Sequence, residues 1–225
     1  MDQPAPERLQ DAYKFRRWQS TLEHNGITLH GVEEIFSRRR HNGEILFSLF
    51  LADATAPEGL KLLPVCFLKG GVVSLLVCLT EAETGQEHLL LVRQRRIATG
   101  GFICEMIAGM VDGSEDPDEV ALREAEEEAG LIVRPDQIRR MNEAPYFAST
   151  GTSDEYFYFY ACELTLPRAE IEAFHGRELG VASEHERTYT LLASVPEALR
   201  LVTNTNGLLH IYLWLESKGR VRTGA

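Results

Sequence analysis

The stretch that decides the fold is Gly109 to Leu131, GMVDGSEDPDEVALREAEEEAGL. Between Glu115 and Glu128 it carries eight carboxylates and a single arginine. Its local signals nevertheless spell a helix. Asp116 is a candidate N-cap, Pro117 fits the first helical position, Glu119 completes a capping box, and Gly130 is the stop. At roughly 100° per residue, Ala121, Leu122, Ala125 and Ala129 form the stripe that turns to a core. Glu124, Glu127 and Glu128 then share an arc of about 100° beside that stripe, Glu126 points to solvent, and Arg123 can pair with Glu127 one turn on.

Glu124 and Glu128 are like charges one turn apart, which costs about a few tenths of a kcal/mol on an exposed helix and more in a concave site. The negative end of the helix dipole adds to that cost. A generic Glu-rich helix turns such charges to water. Here the glutamates sit beside the buried stripe rather than opposite it, and the helix follows a strand-and-glycine entry, EMIAGMVDGSE. A cation between the carboxylates makes the arrangement tolerable, and hard divalent ions, above all Mg²⁺, select oxygen ligands of this kind.

Around this segment the chain has an ordinary composition. Its 225 residues, 44% hydrophobic and 25% charged, suit one large domain or a domain with a small extra unit. No apolar run approaches a membrane span, and the opening MDQPAPERLQDAYKFRRW has no apolar core of a signal peptide, so a cytoplasmic protein without a membrane partner is expected. The net charge of −11 repels phosphate backbones and argues against nucleic acid. The run Arg38-Arg39-Arg40 reads as a solvated hairpin end without a function. Cys66, Cys78, Cys104 and Cys162 show no metal-ligand spacing and read as buried free thiols. The seven histidines are scattered without ligand spacing. Trp18 is a candidate for stacking an adenine, whereas Trp214 lies on an apolar helix and reads as core.

Along the chain, residues 1–63 read as a small β unit and 64–225 as the main domain. Asn25-Gly26 and Asn42-Gly43 each sit between strand-like segments, and Asn-Gly is a strong hairpin signal because a type I′ turn needs positive φ at both central residues. VEEIFSRRRHNGEILFSLFLAD is expected to be one long hairpin. VVSLLVCLTEA and HLLLVRQRR form a strand pair around Thr84-Gly85, FICEMIAGMV is one short strand leading into the acidic helix, and YFYFYACEL and HERTYTLL are further strands. A capping box at Ser194 and Glu197 starts one helix, and another runs from near Asn206 to a stop at Gly219. Strands interspersed with a few helices predict a mixed α/β sandwich.

Gly109, Glu115, Arg123-Glu124, Glu127-Glu128 and Gly130, with apolar residues at Ala125 and Leu131, resemble the box of the Nudix hydrolase superfamily. The usual residue at the position of Ala125 is bulkier. The resemblance implies an α/β/α sandwich with a mixed sheet, here with a small N-terminal antiparallel β unit, and metal-dependent hydrolysis of a diphosphate bonded to another moiety. It makes Glu124 and Glu128 metal ligands and Glu127 a ligand or base beside them, while Glu115 and Arg123 brace the loop and Gly130 closes the motif.

Segments outside the box resemble the ADP-ribose pyrophosphatase and ADP-sugar diphosphatase branch, over roughly Val72 to Lys218. CEMIAGM implies a metal-binding carbonyl at Ala108, an acidic residue of the site at Glu105, and Gly109 beside the substrate. VRQRRIA implies substrate binding by Arg96, and ASTGTSDEY a glycine-rich loop ending in Glu155. The branch usually has proline where this chain has Thr150, which leaves the sugar open. LGVASEHERTY resembles a catalytic loop, with Glu184 as general base and Glu186 as a further metal ligand. On an extended segment those two glutamates point the same way while His185 turns aside. The implied cofactor is Mg²⁺, two or three ions with Mn²⁺ able to substitute. The implied substrate is a nucleotide sugar, and the implied assembly is a homodimer through the N-terminal unit. The rival expectations are hydrolysis of another nucleotide sugar such as UDP-glucose or GDP-mannose, or a module that binds a nucleotide sugar without catalysis. A calcium-dependent structural protein is a poorer fit, since no EF-hand spacing is present.

Overall fold

The computed structural model describes residues 7–113, 115–180 and 187–221. In chain order its elements are α1 (Tyr13–His24), β1 (Thr28–Arg39), β2 (Ile45–Thr55), β3 (Val65–Leu68), β4 (Gly71–Glu81), β5 (Glu87–Arg96), β6 (Gly101–Glu105) and β7 (Ile107–Met110). There follow α2 (Pro117–Ala129), β8 (Ile138–Arg140), β9 (Tyr146–Phe147), β10 (Tyr156–Leu166), α3 (Arg168–Glu172), β11 (Glu178–Leu179), β12 (Thr188–Ala193), α4 (Val195–Leu201) and α5 (Thr205–Ser217). The described residues divide into two compact units, one of 7–71, 112–113 and 146–156, the other of 72–111, 115–145, 157–180 and 187–221.

The first unit holds a small antiparallel sheet in the order β1-β2-β3. β1 and β2 form the expected hairpin about Asn42-Gly43, with Ser37 opposite Ser48. Asn25-Gly26 does not join two strands. It closes α1, with Gly26 at φ 73°. A helix end and a type I′ turn both need positive φ, so the dipeptide could not distinguish them. The sequence pattern does not mark this helix, because its apolar core residues, Phe15 and Trp18, stand among Lys14, Arg16 and Arg17, of which Lys14 is itself buried. Phe15, Trp18 and Phe50 pack ring against ring at 4.9–5.7 Å, so Trp18 belongs to this core. The arginine run is also more than a solvated end, since Arg39 pairs with Glu34 at 3.2 Å and Arg40 with Asp112. Lys14 is buried beside the same Asp112, at 3.1 Å. Burial pulls the Lys14 pKa down, and Asp112 opposes that pull only in part.

The second unit is built on a larger sheet in which β12, β5, β4 and β10 lie side by side. Its central strand β4 is buried on both faces, as its unbroken apolar run requires. Side chains alternate along it. Val73, Leu75, Val77 and Leu79 share one core with Val120, Ala121, Ala125 and Ala129 of α2. Leu76 and Cys78 share the opposite core with Ala198 of α4 and with Ile211 and Trp214 of α5. Helices thus cover both faces, giving an α/β/α sandwich. The segment 101–110 is two strands where one was expected. Up to Glu105 it pairs with β5 (Val92 opposite Glu105), and after Met106 it pairs with β4 (Val73 opposite Gly109).

α5 is fastened to the sheet through His210, which is fully buried. Its Nε2–H donates to the Tyr160 carbonyl at 3.0 Å, so its Nδ1 accepts from the Ser74 hydroxyl at 2.9 Å. Burial lowers the His210 pKa to about 3, although the Tyr160 carbonyl favours the charged form. The four cysteines are free thiols. Burial raises them all, Cys66 and Cys78 to about 12, which leaves them unreactive. Among the described residues no helix is long and apolar enough to cross a membrane.

Candidate active site

The site is assembled where α2 lies on β7. The helix begins as its sequence dictates, with the Asp116 carboxylate accepting from the Asp118 N–H at 3.0 Å and Pro117 in the first turn. It ends at Gly130, whose φ of 61° lets the Leu131 N–H turn back to the Ala125 carbonyl at 2.9 Å. Its buried stripe differs from the expected one. Val120 and Glu128 join Ala121, Ala125 and Ala129, while Leu122 is only partly buried. Alanine at 125 leaves no exposed surface, and a longer side chain there would overpack the contact with the sheet by about 1–3 kcal/mol.

Two of the helix carboxylates reach the backbone of the same dipeptide in β7. Glu128 accepts from the Ala108 N–H at 2.9 Å. Glu124 lies over Gly109 so closely that a Cβ added there would stand 2.0 Å from its Oε1. Glycine at 109 is therefore the cradle for Glu124. Glu127 is turned outward, 4.0 Å from the Arg123 guanidinium. Arg123 also donates to Glu115 at 3.0 Å and to Glu124 at 3.4 Å. Partial burial alone would lower the Arg123 pKa, but Glu115, Glu124 and Glu127 together outweigh it and raise it, so the side chain is a permanent positive brace between helix and preceding loop. Glu126 faces solvent.

At the ends of β5 and β6, Arg96 Nε donates to Glu105 at 2.8 Å. The other Glu105 oxygen accepts from the Asn204 side-chain amide at 3.3 Å. Asn204 was not among the residues expected here, and no spacing signal could have found it, since it lies 99 residues from Glu105. Glu155 lies in the first unit, where it pairs with Lys69. Glu184 and Glu186 lie outside the described residues. The chain is described again from Arg187, and the hydroxyl of Thr188 is 3.5 Å from the Glu128 carbonyl.

Among the described residues no three His, Cys, Asp or Glu side chains gather closely enough to hold a metal. What the structure offers a cation is oxygen: the Glu124 and Glu128 carboxylates at one stretch of β7 backbone. That donor set suits a hard divalent ion rather than a soft one. A separate cleft of about 450 Å³ opens near the start of β5, lined by residues that include His88, Glu172, His175 and Glu197. Its carboxylates are already engaged, Glu172 by Arg168 at 2.7 Å and Glu197 by Ser194 at 2.7 Å.

Comparison with known proteins bears on both fold and chemistry. The NUDIX domain matches residues 72–207. The chain is 26% identical over 225 residues to "Nudix hydrolase 14, chloroplastic" of Arabidopsis thaliana, covering 91% of this chain and 70% of that protein. It is 28% identical over 171 residues to an ADP-ribose pyrophosphatase of Bacillus subtilis, covering 76% and 80% of the two chains. An ADP-ribose pyrophosphatase of Haemophilus influenzae is 32% identical over 110 residues, 45% of this chain and 46% of that one. A solved structure described as an ADP compounds hydrolase superposes with a TM-score of 0.58 at 16% identity, over 87% of this chain and 97% of the other, which shows a shared fold.

Proposed function

The chain belongs to the NUDIX family and is a Nudix hydrolase, and from that premise we propose that it splits the diphosphate bond of ADP-ribose or a related ADP-sugar, releasing AMP and a sugar phosphate. The observation that carries this reading is the meeting of Glu124 and Glu128 at the Ala108–Gly109 backbone. The similarity to two ADP-ribose pyrophosphatases supports the substrate class.

The residues that would hold a divalent ion, Mg²⁺ by preference, are Glu124, Glu128, the Ala108 carbonyl and Glu186. When bound, such ions neutralise the diphosphate and polarise a water molecule. The chain's own groups do the rest. Glu128 is fixed to β7 by the Ala108 N–H, and Gly109 leaves room for Glu124. Arg123 holds Glu115, Glu124 and Glu127, which keeps the loop before α2 in register with the helix. Arg96, tied by Nε to Glu105, keeps its remaining N–H groups for phosphate. In the hydrolysis the water oxygen bonds to one phosphorus, the bridging oxygen departs with the other phosphoryl group, and the water's proton passes to a carboxylate. That acceptor is Glu184 in this proposal, with Glu127 as the alternative. The protein works in the cytoplasm as a homodimer in the same reading.

The test is a panel of ADP-ribose, ADP-glucose, UDP-glucose and GDP-mannose, each incubated with Mg²⁺ and with chelator, the released nucleoside monophosphate being measured. AMP from ADP-ribose, abolished by chelator, is the expected result. Faster release of UMP or GMP would move the specificity to another base, and no release from any compound would favour a module that only binds.

A further inference from the structure

We infer that Asn204 is a positioning residue for Arg96, acting through Glu105. What Arg96 touches rests on the ADP-ribose reading above, whereas the bonding among the three residues does not. Each oxygen of Glu105 has its own partner: Oε2 takes the Arg96 Nε–H at 2.8 Å and Oε1 takes the Asn204 Nδ2–H at 3.3 Å. The carboxylate only accepts, so the NH₂ end of the amide must be the one facing it.

The other end of Asn204 shows what fixes it. Its Oδ1 is buried and has no hydrogen-bond partner among the described residues. It packs against Gly207, where an added Cβ would lie 2.6 Å from that oxygen and 2.6 Å from Val202 Cγ1. Asn204 occupies the N-cap position of α5, yet its side chain makes no capping bond. An unmatched buried carbonyl costs stability, and a side chain without an amide would avoid that cost. Among the described residues the hydrogen bond of the amide is the one its NH₂ group makes to Glu105. The backbone supports this direction, because Val202 bridges to Cys104, the residue before Glu105, and lays the α4–α5 connection along β6.

The result is a relay from a buried anchor to a half-exposed head. Glu105 is 13% exposed and Arg96 42% exposed. With Nε held, the planar guanidinium keeps its two Nη groups for a ligand in one orientation, which reduces the entropy lost on binding a phosphate.

The experiment uses the full chain carrying Asn204→Ala or Asn204→Asp. The Nε–Hε resonance of Arg96, assigned by its loss in Arg96→Lys, reports directly on the bond to Glu105. Both variants are expected to shift it toward the free position and to speed its exchange with solvent by about tenfold or more. KM for ADP-ribose should rise about 5- to 30-fold, the worth of one orienting bond to a charged group, with kcat within about threefold. In an Arg96→Ala background Asn204→Ala should add nothing. An Arg96 resonance unmoved in both variants overturns the proposal whatever the substrate, and a purely structural Asn204 would lower the thermal midpoint without moving it. A moved resonance with unchanged KM keeps the positioning role and instead removes Arg96 from the substrate reading.

Discussion

Glu128 keeps only 4% of its surface exposed and holds the Ala108 N–H at 2.9 Å. A buried carboxylate costs several kcal/mol unless hydrogen bonds and a nearby positive charge offset it. In the proposed site this environment suits Glu128 to a divalent ion better than that of Glu127, which is 42% exposed and faces Arg123 at 4.0 Å. Glu128→Gln keeps the size and an oxygen that can accept from Ala108, and removes the charge. Turnover is expected to fall by about a hundredfold or more, ~2.7 kcal/mol of barrier, with the thermal midpoint within about 3 °C of the parent. Near-normal turnover measured alongside an unchanged midpoint would take Glu128 out of the metal set.

At the scale of elements, the site depends on how closely α2 approaches β7. The helix buries small residues, Ala121, Ala125 and Ala129, so its axis can come near the sheet and its carboxylates can touch backbone. Gly109 completes the fit on the strand side. Gly109→Ala would place a methyl 2.0–2.3 Å from three atoms of Glu124, and that side chain has to swing away. Activity should drop as far as in Glu124→Gln. In a Glu124→Ala background the same substitution has nothing to collide with, so its added effect on the unfolding free energy measured in urea should be under about 0.5 kcal/mol. If the destabilisation persists there, the cradle is not a matter of Glu124. The division of 101–110 into two strands belongs to the same scale: the switch of partner at Met106 puts Glu105 on the β5 side and Ala108 on the β4 side.

For the molecule as a whole, stability acquires a pH dependence from His210. Its folded pKa of about 3 lies below the unfolded value near 6.5. Between those values the unfolded chain binds a proton that the folded one refuses, so stability contributed by the neutral ring is complete above about pH 6.5 and declines as pH falls toward 3. Urea midpoints measured from pH 7.5 to 4.5 should fall less steeply in His210→Gln than in the parent, although the variant starts lower. Parallel slopes would show that the ring does not stay neutral on folding. The placement matters because His210 joins α5 to β4 through Ser74 and to β10 through Tyr160, across the layer that carries the central strands.

Signals that act within a turn or two of chain were legible in the sequence. Asp116, Pro117 and Gly130 bounded the acidic helix, Asn42-Gly43 set the long hairpin, and the continuous apolar run of β4 announced a strand covered on both faces. The box residues were legible for the same reason, since they lie in one contiguous segment whose helical period places them. Asn25-Gly26 misled because its positive φ serves a helix end as readily as a hairpin. Only the tertiary structure decided that Glu128 turns inward and Glu127 outward, that Asn204 meets Glu105, and that His210 meets Ser74. Those outcomes depend on strand register and on how near a helix can approach a sheet, which are properties of packed surfaces and have no counterpart in local spacing.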